Sequence, residues 1–104
     1  MEFVTTETVP GRETARALGI ARGNTVKARN VGRDITQSIR NITGGELKAY
    51  SGLLSDARDE ALERMKQDAE SMGADAVVNV RMETSEIASG SSEVIAYGTA
   101  VELE

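Results

Sequence analysis

The sequence predicts an α+β fold: one sheet of about three main strands in a split β-α-β arrangement, with a short and a long helix packed on one face. Three observations predict it. Tyr50, Leu54, Ala57, Ala61, Met65, Ala69 and Met72 recur at steps of three or four, which draws one apolar stripe along a long helix. Just after Gly73 the period changes from helical to extended, in Ala76-Val77-Val78-Asn79-Val80. Finally, the run from Val94 to Val101 carries almost no charge, as a strand with neighbours on both sides requires.

The elements follow in order. Phe3-Val4-Thr5 is a short first strand, closed by the turn residues Thr8-Val9-Pro10-Gly11. Residues 13–29 read as a long extended segment in which Gly19 and Gly23 mark a bulge, a bend or a close backbone approach. Its small, half-polar faces suit a strand lying against something other than its own core, and a subunit interface is a candidate. A short helix over 33–43 follows, with Ile35, Ile39 and Ile42 on one face. Gly44-Gly45 is expected to end it and set the angle to the long helix, which begins between Glu46 and Ser51. Gly73 stops the long helix at a position that favours positive φ. Glu60/Arg64 and Lys66/Glu70 are spaced to pair one turn apart.

Strand 76–87 should present Ala76, Val78, Val80 and Met82 on one face and Val77, Asn79, Arg81 and Glu83 on the other. Ser89-Gly90-Ser91-Ser92 is a loop, and 93–103 is the last strand. A helix over 51–72 spans about 33 Å, which about ten strand residues also cover. The last two strands therefore form a hairpin beneath the helix. The helical crossover makes 13–29 parallel to 76–87, with the least charged strand inserted antiparallel between them.

All 104 residues are expected in a single domain, 1–104. A domain of that size buries only about two-thirds of the surface that its unfolded chain exposes. Phe3, Tyr50 and Tyr97 are the only aromatic residues, and much of the apolar fraction is Ala and Val. With no cysteine, disulfides and thiolate metal sites are excluded. With no histidine, the commonest general base and transition-metal ligand are also missing. Oligomerisation is the remaining way to supplement a thin core.

The net charge of −5, from 17 acidic and 12 basic residues, argues against a nucleic-acid or anionic-membrane partner. No apolar run approaches the roughly 20 residues of a membrane span. The start, Met1-Glu2-Phe3-Val4, is unlike a signal peptide, so a cytoplasmic location is expected.

Ser/His/Asp and Cys/His nucleophile systems are impossible here, and no catalytic residue is assigned. Asp56, Asp59, Glu60 and Glu63 crowd the solvent side of the long helix, where Asp59 and Glu63 stand one turn apart. They read as a solvated acidic face rather than a cation site. Asp75 suits a hydrogen bond to loop backbone, or an ion pair, better than it suits acid chemistry. Arg33 and Arg40 could hold a carboxylate or phosphate, or make ion pairs between subunits. Asp34 favours the helix N-terminus. Gly44 and Gly45 could form a phosphate turn, but no glycine-rich phosphate motif accompanies them. The candidate ligand residues are thus Arg33, Asp34, Arg40, Gly44, Gly45 and Asp75, with no metal ligand and no cofactor.

Arg33-Asp34, Ile42-Thr43-Gly44-Gly45, Tyr50, Ala57-Arg58, the run Met72-Gly73-Ala74-Asp75-Ala76-Val77-Val78 and Gly98-Thr99-Ala100-Val101 together resemble the YbjQ-like family of small uncharacterised prokaryotic proteins. The resemblance spans nearly the whole chain. It implies a sheet similar to that of dodecin subunits and a closed ring of five chains. It also implies a heavy-metal-binding label, which the residues do not support. Soft metals prefer thiolate and imidazole, and the only sulfurs are those of Met1, Met65, Met72 and Met82, two of them on the helix stripe. A hard cation on carboxylates is the more plausible metal.

The functional expectation is a non-enzymatic, cytoplasmic, ring-forming protein, a homopentamer, with a binding or scaffolding role. The alternative is a module that binds a divalent metal or small anion.

Overall fold

The computed structural model describes residues 1–26, 44–88 and 91–104. The fold is α+β, one mixed sheet with a long helix on one face. Strand β1 spans Glu2–Phe3, β2 spans Thr14–Val26, helix α1 spans Gly44–Ser71, β3 spans Ala76–Ala88 and β4 spans Ser91–Leu103. The sheet order is β1-β3-β4-β2. β4 lies antiparallel to both β3 and β2, while β1 runs parallel to β3. The least charged strand is therefore inserted between the two that α1 connects, as its composition predicts. The short helix expected over 33–43 lies outside the described residues.

The middle of the α1 stripe is buried as its period requires, with Met72 half-buried at its end and the side chains of Tyr50 and Leu54 outside the described residues. Ala57, Ala61, Met65 and Ala69 have no exposed surface. The C-terminal stop has a specific hydrogen-bond pattern. Gly73 has φ 80°, its amide donates to Glu70 O at 3.0 Å, and the Ala74 amide donates to Ala69 O at 3.2 Å. Those two bonds and the left-handed glycine are a Schellman cap, which satisfies carbonyls that the helix end would leave open.

The start of α1 corrects the expectation. The helix begins at Gly44, so Gly44 and Gly45 belong to its first turn and are not a connection ahead of it. A helix end tolerates glycine better than its middle, because its first amides lack intrahelical acceptors in any case.

β3 also departs from simple alternation. Asn79 has φ 54°, and the register with β4 shifts between Val78 and Arg81. This is a β-bulge built on a residue type that tolerates the left-handed region. It breaks the expected face of Ala76, Val78, Val80 and Met82. Val77 and Val80 join the cluster beneath α1, while Ala76 and Val78 pack with Val9 and Val101 in a second cluster, with Val4 and Leu103 beside it. The extra residue puts Val80 on the face that Val77 occupies.

The N-terminal segment closes over the second cluster. Val4 N donates to Val77 O and Val80 N to Val4 O, both at 3.0 Å. The turn expected at Pro10 forms, with Arg12 N donating to Val9 O at 3.0 Å. At the other end of the hairpin, Ser91 and Ser92 belong to β4, paired with Ala88 and Glu86, so strand structure extends into the expected loop.

On β2, Ala21, Gly23 and Thr25 are buried beneath α1, whereas Ile20, Arg22, Asn24 and Val26 are exposed. The approach at Gly23 is close enough that a Cβ there would collide with the backbone of α1 from Ala61 to Met65. The Thr25 hydroxyl is buried without a hydrogen-bond partner among the described residues.

Among the described residues, Met65, Val77 and Val101 are the largest fully buried side chains. The Cα radius of gyration is 16.6 Å, with extents of 53 × 25 × 16 Å. A compact domain of 100 residues has a radius of about 13 Å. The molecule is a thin plate. Among the described residues no helix is long and apolar enough to cross a membrane.

Candidate interaction surface

Of the six residues singled out in the sequence, Arg33, Asp34 and Arg40 lie outside the described residues. Gly44 and Gly45 open α1. Asp75, at the corner between α1 and β3, is tied to β4. Its Oδ2 accepts from Leu103 N at 2.9 Å, and its own amide donates to Val101 O at 2.9 Å. That carboxylate fastens the entry of β3 to the end of β4, a structural task of the kind its turn position predicts. Of the three described, Gly44 and Gly45 lie at the start of α1 and Asp75 just beyond its far end, so they form no common site.

The helix carboxylates do not form a centre either. Asp56, Asp59, Glu60 and Glu63 are all exposed, and Glu60 is engaged by Arg64 as its spacing predicts. Lys66 and Glu70 do not form an ion pair among the described residues. Also among the described residues, no three acidic side chains converge on a point that could hold a metal. The sulfurs are dispersed. Met65 is fully buried in the alanine-lined core, Met72 packs at its margin, and Met1 and Met82 are exposed. Nothing here offers a soft cation the converging thiolate or imidazole donors it prefers.

The surface with most unassigned character is the sheet face turned away from α1. In register across the strands, Arg22 of β2, Tyr97 of β4 and Arg81 of β3 form one row, and Asn24, Ile95 and Glu83 form the next. Polar groups bridge the strands. The Tyr97 hydroxyl donates to Glu83 Oε1 at 3.3 Å, and Asn24 Nδ2 donates to Glu93 Oε2 at 3.0 Å. Arg16 pairs with Glu102 at 2.7 Å, and Arg81 Nη1 donates to Thr5 O at 3.0 Å. Ile20 and Val26 stand in the same face, 69% and 51% exposed.

In the described part of the 13–29 segment, the small residues Ala21, Gly23 and Thr25 are covered by the chain's own helix, and the larger apolar residues Ile20 and Val26 are left outside. Sequence reasoning missed Arg81 as a clamp on the N-terminal segment. The single visible signal was Asn79, a residue type suited to a bulge, two positions earlier.

The chain is similar to several proteins of known sequence. A UPF0145 protein of Halobacterium salinarum is 84% identical over 103 residues, which covers 99% of each chain. A UPF0145 protein of Archaeoglobus fulgidus is 57% identical over 101 residues, 97% of this chain and 94% of that one. A crystal structure from Pediococcus pentosaceus, titled a protein with unknown function of the DUF74 family, shares the fold. It has a TM-score of 0.66 and 14% identity, and it covers 100% of this chain and 98% of that one. The model of the YbjQ-like family, described as "Putative heavy-metal-binding", matches residues 1–104. The dispersed donors above do not fit that description. The match runs the full length of the chain and the relatives align end to end, so this protein belongs to the YbjQ-like family.

Proposed function

We propose that the chain assembles into a closed ring, a homopentamer, and serves a binding or scaffolding role in the cytoplasm rather than catalysing a reaction. The observation that supports this reading is the thin plate with Ile20 and Val26 on its open face. Large apolar side chains on a strand gain nothing from water, and burying each of them fully is worth about 1.5–3 kcal/mol. A second chain is the simplest source of cover. A patch on β2 that meets a different patch on the next chain is a heterologous contact, and such contacts generate rings when the rotation closes. The number five comes from the family resemblance.

Native mass spectrometry and light scattering on the purified protein test the reading. The expected species contains five chains of 11.1 kDa each. A stable, folded monomer at micromolar concentration would overturn it.

A further inference from the structure

β2 is an outer strand of the sheet, paired with β4 on one side. Outer strands present rows of backbone donors and acceptors that can template pairing with another chain. On β2 two of these groups are already engaged by α1. The Arg22 amide donates to Asp68 Oδ2 at 3.0 Å, and the Asn24 carbonyl accepts from Arg64 Nη1 at 2.6 Å. Arg64 is itself held by the Glu60 carboxylate through Nη2, and the Asn24 side chain is held by Glu93.

The geometry accounts for the fit. Residues 64 and 68 are one helical turn apart, a rise of about 6 Å, and two strand residues advance about 6.8 Å. One turn of α1 can thus supply an acceptor and a donor at nearly the spacing of successive outward-facing residues of a strand. Gly23, between the two engaged residues, allows this by letting the helix backbone lie directly on the strand.

We propose that Asp68 and Arg64 stand in for a neighbouring strand, so that α1 holds shut a strand-pairing site on β2 whose partner, once released, is the same edge of a second copy of this chain. Ile20 and Val26, exposed on this strand, favour that partner, because antiparallel pairing of two copies about Gly23 sets Ile20 of one opposite Val26 of the other, an apolar cross-strand pair, and Arg22 opposite Asn24. The inference does not depend on the ring. Subunits that meet through side chains of the open face leave the Arg22 amide with Asp68.

Residue-resolved amide hydrogen exchange and light scattering on the full chain test it. In the unaltered protein the Arg22 amide is expected to be protected. In Asp68→Ala, at a dilution where light scattering shows no larger species, its exchange should rise at least tenfold while the Gly23 amide is unchanged, and Asp68→Asn, which keeps an acceptor oxygen, should retain part of the protection. Asp68→Ala, and more strongly Arg64→Ala/Asp68→Ala, should give species larger than the unaltered protein that grow with concentration. Each single variant is measured beside the double one, so loss of the double variant to unfolding leaves Asp68→Ala to decide. An unprotected Arg22 amide in the unaltered protein overturns the proposal. So does protection that survives Asp68→Ala at that dilution, since something other than Asp68 would then be holding the amide. An unchanged particle size in Asp68→Ala also overturns it.

Discussion

Successive residues of β2 live in opposite surroundings. Ala21, Gly23 and Thr25 lie under α1 and are buried, while Ile20, Arg22, Asn24 and Val26 face outward. The usual assignment is inverted, since the small residues are inside and the large apolar ones outside. Backbone proximity is the cause on the inner side. The helix rests so near the strand that side chains there must be small, and the alanines of α1 at 57, 61 and 69 continue the same requirement. This face therefore draws stability from close packing of many small contacts rather than from a few large side chains. The outer face of β2 has no such limit, and its large residues are available for another surface.

The largest effect should come from violating the inner limit. Gly23→Val places a branched side chain where helix backbone already sits, and backbone cannot swing aside as a flexible side chain can. The expected loss is about 4 kcal/mol or more, enough to abolish a cooperative transition in urea. A normal unfolding curve for this variant would show that α1 can lift from β2 at little cost.

Met65→Ala comes next. It empties the largest fully buried side chain on the helix and should cost about 2–5 kcal/mol, read as a fall in the urea midpoint. A second variant at this position separates packing from ligation. If Met65 only fills space, Met65→Leu restores most of the stability, because that swap conserves volume.

The same contrast explains which parts of the molecule the sequence revealed. The stripe of α1, the stop at Gly73 and the central place of β4 could be read because each follows from a local rule of period, left-handed φ or charge. The faces of β3 could not be read beyond Val78, because a single residue in the left-handed region at Asn79 reverses the alternation and nothing in the neighbouring pattern announces it. The side of β2 that meets the helix was also hidden. A strand of small residues alternating with mixed ones fits either orientation, and the choice is settled by how closely a helix far along the chain approaches Gly23. For the candidate site, the carboxylate of Asp75 was legible as a turn residue bonded to backbone. The clasp of Asp68 and Arg64 on the strand edge was not, because it joins residues 40 and 46 positions apart.

The smallest effect on folding, and the most informative one for assembly, is expected from Ile20→Lys on the outer face. Ile20 is mostly exposed within one chain, so a lysine should change the stability of that chain by no more than about 0.5 kcal/mol. The proposed ring predicts a different response from the assembly. If Ile20 is buried between subunits, lysine loses the apolar contact and must either desolvate its charge or hold the partner away. Light scattering should then show a shift from the ring to smaller species, with the helical circular dichroism of the chain preserved. Val26→Lys, on the same face and less exposed, should act in the same direction. Rings that persist in both variants would place the subunit contact elsewhere, and the outer face of β2 would then have to be read as a surface for a different partner.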